Sequence, residues 1–210
     1  MKTLIVAATE AEIAPSIPTL EASGIDYLIT GVGMVATAFT MGHHLAARSY
    51  DLLLNVGIAG TFSPTHALGS LFRITTDQIH LFGAENGVDF IPINELGFGQ
   101  AVFREQAPDG GLSDELFTRL PTVDALTVNC VHGHLPRIQT VTDFYGTDLL
   151  ESMEGASFFF AAQAVSTPRL QVRAVSNLVE TRNRENWNIP LAIQTLNEWI
   201  SSFANDRAQR

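Results

Sequence analysis

The sequence predicts a layered α/β protein, and three observations carry that expectation. Short apolar runs recur along the chain, helical patterns lie between several of them, and the composition suits one sizeable core. Of the 210 residues, 46% are hydrophobic and 16% charged, which excludes a disordered chain and leaves little room for two ordinary domains. A single domain over residues 1–210 is expected.

The elements follow in order. Thr3 to Ala8 is apolar throughout, as a strand covered on both faces by helices would be. Similar runs at Tyr27 to Thr30, Asp51 to Val56, Leu71 to Thr75, Leu126 to Cys130 and Leu170 to Val175 read as further strands. Helices are predicted over Met34 to Arg48, Met153 to Val165 and Asn186 to Ala204. In the last of these, Leu191, Ile193, Leu196, Trp199, Ile200 and Phe203 form a stripe suited to core packing. Between His80 and Thr122, glycines and the Asp109-Gly110-Gly111 turn break the periodicity, so loops with short strands are expected there.

Charge and cysteine usage narrow the function. Twelve Lys and Arg against twenty-two Asp and Glu give a formal net charge of −10, which repels phosphate backbones and anionic lipid. Neither nucleic acid nor membrane is an expected partner. Cys130 is the single cysteine, so no intramolecular disulfide forms, and the apolar run near Met1 is too short for a membrane span. A cytoplasmic protein is expected. His43 and His44 are adjacent on one helix and face different directions, and no other spacing suggests a metal site. No cofactor is expected.

Five segments could carry chemistry, each with a plainer reading beside it. Thr9-Glu10-Ala11-Glu12 follows the first strand, where ligands bind in open α/β sheets. It also reads as a capping box, a reading that Pro15 weakens, which suggests a freer Glu12. Gly31-Val32-Gly33 is a turn into a helix. In Asn55-Val56-Gly57-Ile58-Ala59-Gly60 a strand ends in small residues whose N–H groups suit an oxygen-rich ligand. Glu151-Ser152-Met153-Glu154 opens a helix, where acidic charge is favourable in any case. Arg173-Ala174-Val175-Ser176-Asn177 ends a buried strand in polar groups.

Taken in order, these five segments resemble the successive signatures of the methylthioadenosine/S-adenosylhomocysteine nucleosidase group of the purine nucleoside phosphorylase superfamily. The resemblance implies a three-layer αβα sandwich around a mixed, partly curled sheet, a small-molecule nucleoside substrate and a homo-oligomer, dimer or tetramer. It implies that Glu12 activates the attacking water and that Met153 and Glu154 lie against the ribose. Ile58, Ala59, Gly60 and Arg173 would line or edge the site, and an aromatic residue between Val128 and Phe144 would stack on the base. Asn177 falls where these nucleosidases carry an Asp that serves the base.

That departure has a chemical meaning. A 6-oxopurine presents two acceptors, N7 and O6, where adenine presents one acceptor and one donor. An Asn amide offers N–H donors to both acceptors, so Asn177 favours hypoxanthine or guanine. The segment from Ser176 to Pro190 also resembles the futalosine hydrolase branch, which implies release of hypoxanthine from futalosine in menaquinone biosynthesis. Arg73, His80, His132, His134 and Arg137 are open candidates for the carboxylate at the far end of that substrate. The alternatives are an adenine-type nucleosidase, disfavoured by Asn177, a 6-oxopurine nucleoside phosphorylase, for which no phosphate-binding arginine is evident, and an inactive binding protein of the same fold.

Overall fold

The computed structural model describes residues 1–108 and 115–208, so the Asp109-Gly110-Gly111 turn lies outside the described residues. In chain order the elements are β1 (Thr3–Ala7), α1 (Glu10–Ile13), α2 (Ile17–Ala22), β2 (Asp26–Ile29), α3 (Met34–Leu45) and β3 (Leu52–Thr61). There follow β4 (Leu71–Ile79), β5 (Gly83–Asn86), β6 (Asp89–Pro92), β7 (Val102–Arg104), α4 (Glu115–Thr118) and β8 (Thr122–Thr127). The chain continues through α5 (Leu135–Tyr145), β9 (Leu149–Ser152), α6 (Gly155–Ala164), β10 (Arg169–Leu178) and α7 (Ile189–Ala208).

All strands but β5 and β6 belong to one mixed sheet, and β3 organises it. Along one edge, β3 pairs in parallel with β10 over nearly its whole length. Along the other, its first residues pair with β1, and Gly60 and Thr61 pair with β9. Because β10 also pairs with β4, β4 with β8 and β8 with β9, the sheet curls back on β3 and closes a ring of five strands. β1 and β2 extend from it as an open flap.

Period-two alternation divides the apolar side chains between two layers. Leu4, Val6 and Leu53 pack with Met41 and Leu45 of α3 and with Phe158 and Phe159 of α6. Ile5, Ala7, Leu52, Leu54, Val56, Leu170, Val172 and Ala174 face the opposite way, against Leu196, Trp199, Ile200 and Phe203 of α7. The result is a three-layer αβα arrangement around a curled mixed sheet.

Three features differ from the sequence-based expectations. β3 and β4 run well past Val56 and Thr75, since Gly57 to Thr61 and Thr76 to Ile79 continue the pairing although, Ile58 and Ile79 apart, their side chains are small or polar. The strand expected at Leu126 to Cys130 begins earlier and ends at Thr127. β9 and α5 carried no clear periodic signal: β9 is four residues long, and α5 is mostly polar with one buried residue, Val141.

Candidate active site

Glu12 is fixed from two sides. Its Oε2 accepts from the backbone N–H and the hydroxyl of Thr9, each at 3.0 Å, and its Oε1 accepts from the N–H of Ile58 at 3.1 Å. The capping contact is therefore present, against the expectation of a freer Glu12. Pro15 does not prevent it, because α1 stops at Ile13 and the chain passes into a short 3₁₀ turn, Ala14–Ser16, whose geometry accommodates proline. Three of about four acceptor positions on the carboxylate are filled, which leaves one for a water or a substrate hydroxyl. Gly57 makes the approach possible: a Cβ there would meet Arg173 Nη1 at 2.6 Å and Glu12 Oε1 at 2.9 Å.

Among the described residues, Glu154 is held by backbone alone. Its Oε1 accepts from Gly33 N–H at 2.9 Å and its Oε2 from Met153 N–H at 3.2 Å. Gly33 has φ +93°, a left-handed conformation that favours glycine, so the Gly-x-Gly turn serves to aim an N–H at this carboxylate. Two acceptor positions remain on Glu154, a match for a vicinal diol.

Asn177 is aimed by a β-bulge. The register of β10 on β3 shifts between Val175, opposite Ala59, and Asn177, opposite Gly60, leaving Ser176 as the extra residue. The Ser176 hydroxyl bonds to the Ala59 carbonyl and to Asn177 Oδ1, while Asn177 Nδ2 donates to the Leu178 carbonyl at 3.0 Å. The opposite amide orientation would set two carbonyl oxygens against each other, so this one is chemically required. Among the described residues Asn177 consequently keeps one free N–H, where the sequence suggested two.

These groups converge on one cavity of about 350 Å³. Glu12, Ile58, Ala59, Gly60, Met153, Glu154 and Asn177 all line it, although they come from four separate stretches of chain. Arg173 does not. It lies buried beneath the floor, bonded to Asn55 Oδ1 and Gln171 Oε1, in a polar interior of the strand ring that continues through Gln171 and Thr127 to Asp77. Burial pushes the Asp77 carboxyl up to about 6, against hydrogen bonds from Gln171 and Thr127. Ile58 lines the cavity, but its N–H is committed to Glu12 and is not left for a ligand.

Several lining residues were not legible as such. Glu151 stood inside the acidic segment but read as helix-end charge; it pairs with His132, accepting from both the ring Nδ1 and the backbone N–H of that residue. Burial pushes the Glu151 carboxyl above the usual carboxylate range, partly offset by those hydrogen bonds. Of the span Val128 to Phe144, Val131 and His132 reach the cavity, whereas Phe144 is exposed elsewhere; the aromatic carbocycle in the lining is Trp187. Among the five open candidates, Arg73 pairs with Glu105 away from the site. His80 and Arg137 line an adjoining cavity of about 520 Å³ that shares His132 as a wall.

This fold, with a carboxylate, a diol-sized acceptor pair and an amide around one cavity, defines a class. The chain matches the Phosphorylase superfamily over residues 18–205 and belongs to it. Glu12 precedes that span, so its place rests on the geometry above. Within the superfamily, the chain is 34% identical to the futalosine hydrolase of Streptomyces coelicolor, covering 86% of this chain and 79% of that protein. It is 32% identical to the futalosine hydrolase of Acidothermus cellulolyticus, over 81% and 71%. The fold is that of the 5′-methylthioadenosine/S-adenosylhomocysteine nucleosidase from Neisseria meningitidis, solved with methylthio-immucillin-A, at a TM-score of 0.79 and 16% identity over 98% and 100% of the two chains.

Proposed function

We propose that this protein is an N-glycosyl hydrolase that cleaves futalosine to hypoxanthine and dehypoxanthine futalosine, a step of menaquinone biosynthesis. The observation that carries the reading is the convergence of Glu12, Glu154 and Asn177 on one cavity in a chain similar to two futalosine hydrolases. Water on the remaining acceptor position of Glu12 attacks the anomeric carbon and loses its proton to the carboxylate. Such positioned base catalysis contributes roughly 10²–10⁴-fold. Glu154 takes the ribose hydroxyls, Met153 packs on the sugar, and the free N–H of Asn177 meets the base edge as charge moves onto it.

Water rather than phosphate fits the lining, which among the described residues contains no Lys or Arg and presents Glu12 and Glu154. A phosphate dianion beside two carboxylates would be repelled. The test assays free base released from futalosine, inosine and methylthioadenosine, with and without phosphate. Hypoxanthine release from futalosine in phosphate-free buffer is expected; strict phosphate dependence, or preference for methylthioadenosine, overturns the reading.

The assembly and compartment belong to the same proposal: a cytoplasmic homo-oligomer. No helix among the described residues is long and apolar enough to cross a membrane. On α3, Thr37, Met41 and Leu45 face the core, so the outward face is Val35 and Phe39, 83% and 74% exposed. Exposed Val32, which lines the cavity, continues this apolar strip and links it to the cavity mouth. A partner subunit there would shield the site from bulk water. Sedimentation of the protein and of Phe39→Asp tests this, with a monomeric wild type as the refuting result.

A further inference from the structure

A departing hypoxanthine needs a proton, and its N7 edge presents two acceptors to the protein, N7 and O6. Asn177 supplies one N–H to that edge, its second being committed to the Leu178 carbonyl. An amide is also no acid. The site thus lacks a second donor and a proton source, and both needs point to the same place.

In the sheet, Gly60 pairs with Asn177 on one side and with Glu151 on the other. At a strand spacing of about 4.8 Å, the two backbones stand roughly 10 Å apart, a gap that a planar base and its hydrogen-bonding partners can fill. Gly60 leaves room for the Asn177 amide, since a Cβ there would meet Val179 Cγ2 at 2.8 Å and Asn177 Nδ2 at 3.2 Å. Above Glu151 lies His132, which lines the same cavity and whose Nδ1 and backbone N–H are both held by the Glu151 carboxylate. The side chains of this pair are only 8% and 3% exposed, so its placement is a built feature rather than a surface encounter. His132 Nε2 has no partner among the described residues. A carboxylate that fixes one ring nitrogen leaves the other oriented for proton transfer, the logic of histidine–carboxylate pairs in hydrolases.

We propose that His132, oriented by Glu151, donates the proton taken up by the departing 6-oxopurine. This rests on the nucleoside hydrolase reading above and assigns the acid that the reading leaves open. As the C1′–N9 bond breaks, its electron pair passes to the purine and N7 takes the proton from His132 Nε2. The oxygen of the attacking water bonds to C1′, and its proton goes to Glu12. Return of that proton to His132 through solvent resets the site, so the net reaction consumes one water. Glu151 is a positioning residue.

The surroundings of His132 support this assignment. Its ring lies 5.2 Å from that of His80, which burial lowers to about 4 and keeps neutral. Phe62 packs edge-on at 6.1 Å. Arg137 lines the adjoining cavity, the Arg182 backbone packs over Gly133, and Glu12 and Glu154 occupy the other walls of the site. Glu151 is the charged group in direct contact.

The test measures kcat and KM for futalosine across pH in wild type, His132→Gln and Glu151→Gln, with thermal melts to verify folding. For His132→Gln, kcat should fall by about 10²-fold or more with KM within a few fold, and the decline of kcat at rising pH should disappear with the acid. Glu151→Gln should lower kcat at least about 10-fold through loss of orientation. An unchanged kcat, a rise in KM alone, or a reduced kcat that keeps the wild-type alkaline limb overturns the proposal. If His132→Gln does not fold, Glu151→Gln decides by the same criteria. A wild type inert on every purine nucleoside refutes the hydrolase reading itself, whereas an active wild type matched by active variants refutes the acid alone.

Discussion

Replacing Glu12 by Gln probes the site and the fold together, because the carboxylate accepts from two backbone N–H groups on different elements. An amide has one oxygen, so its NH₂ must face either Ile58 N–H or Thr9 N–H. It will face Thr9, whose hydroxyl now donates to Oε2 but can turn to accept, while the bond from Ile58 is kept. One backbone donor then loses its partner, at a cost of about 1–3 kcal/mol, near the lower bound because the hydroxyl adapts. For a chain of this size that lowers Tm by roughly 2–6 °C. Catalysis suffers more, since an amide cannot take the proton of the attacking water, and kcat should drop by about 10²-fold or more. Differential scanning calorimetry and a hypoxanthine-release assay on the same preparation separate the two effects. Near-normal turnover with the expected fall in Tm would mean that Glu12 is a capping residue and nothing else, and the water-activation argument would be wrong.

Asn177→Asp sets a carboxylate oxygen against the Leu178 carbonyl and removes the free N–H, so activity on 6-oxopurine nucleosides should fall relative to the 6-amino counterpart. Loss of one hydrogen bond to a charged leaving group, about 1.5–3 kcal/mol, corresponds to roughly 10- to 100-fold in the ratio of kcat/KM values; an unchanged ratio shows that Asn177 does not read the base. Gly57→Ala forces a Cβ between Arg173 Nη1 and Glu12 Oε1, and should lower kcat at least about 10-fold at an overpacking cost of about 1–3 kcal/mol, with unaltered kinetics as the contrary result. Two groups, the buried Asp77 and the half-buried His80, oppose each other in acid stability. Asp77, raised from 3.8 to about 6, contributes stability present below its unfolded value and lost as pH rises through 6. His80, lowered from 6.5 to about 4, contributes stability present above 6.5 and lost as pH falls through 4. Between pH 4 and 6.5, Asp77→Asn should therefore make Tm climb more steeply with pH than in wild type, and His80→Gln should make it climb less; parallel melting profiles would contradict both assignments.

The sequence by itself determined the layered α/β class, the core strands β1, β3 and β10, and the buried face of α7, because continuous apolar runs and a helical stripe are local signals. It also marked Glu12, Glu154 and Asn177, since these lie in segments whose order resembles a known group. What only the tertiary structure decided was how those residues are held. The closure of the strand ring through β9, a four-residue strand, sets Glu151 and Asn177 on either side of Gly60. Pairing across the sheet has no periodic signature in the chain, so His132 and Glu151 read as an ordinary histidine and a helix-end charge. Arg173 shows the converse. Its position in a motif suggested the site edge, but strand alternation turns it into the polar interior, where Asn55 and Gln171 bind it. Motif order locates functional segments, whereas the facing of each side chain follows from strand register and bulges, and those are fixed only when distant strands meet.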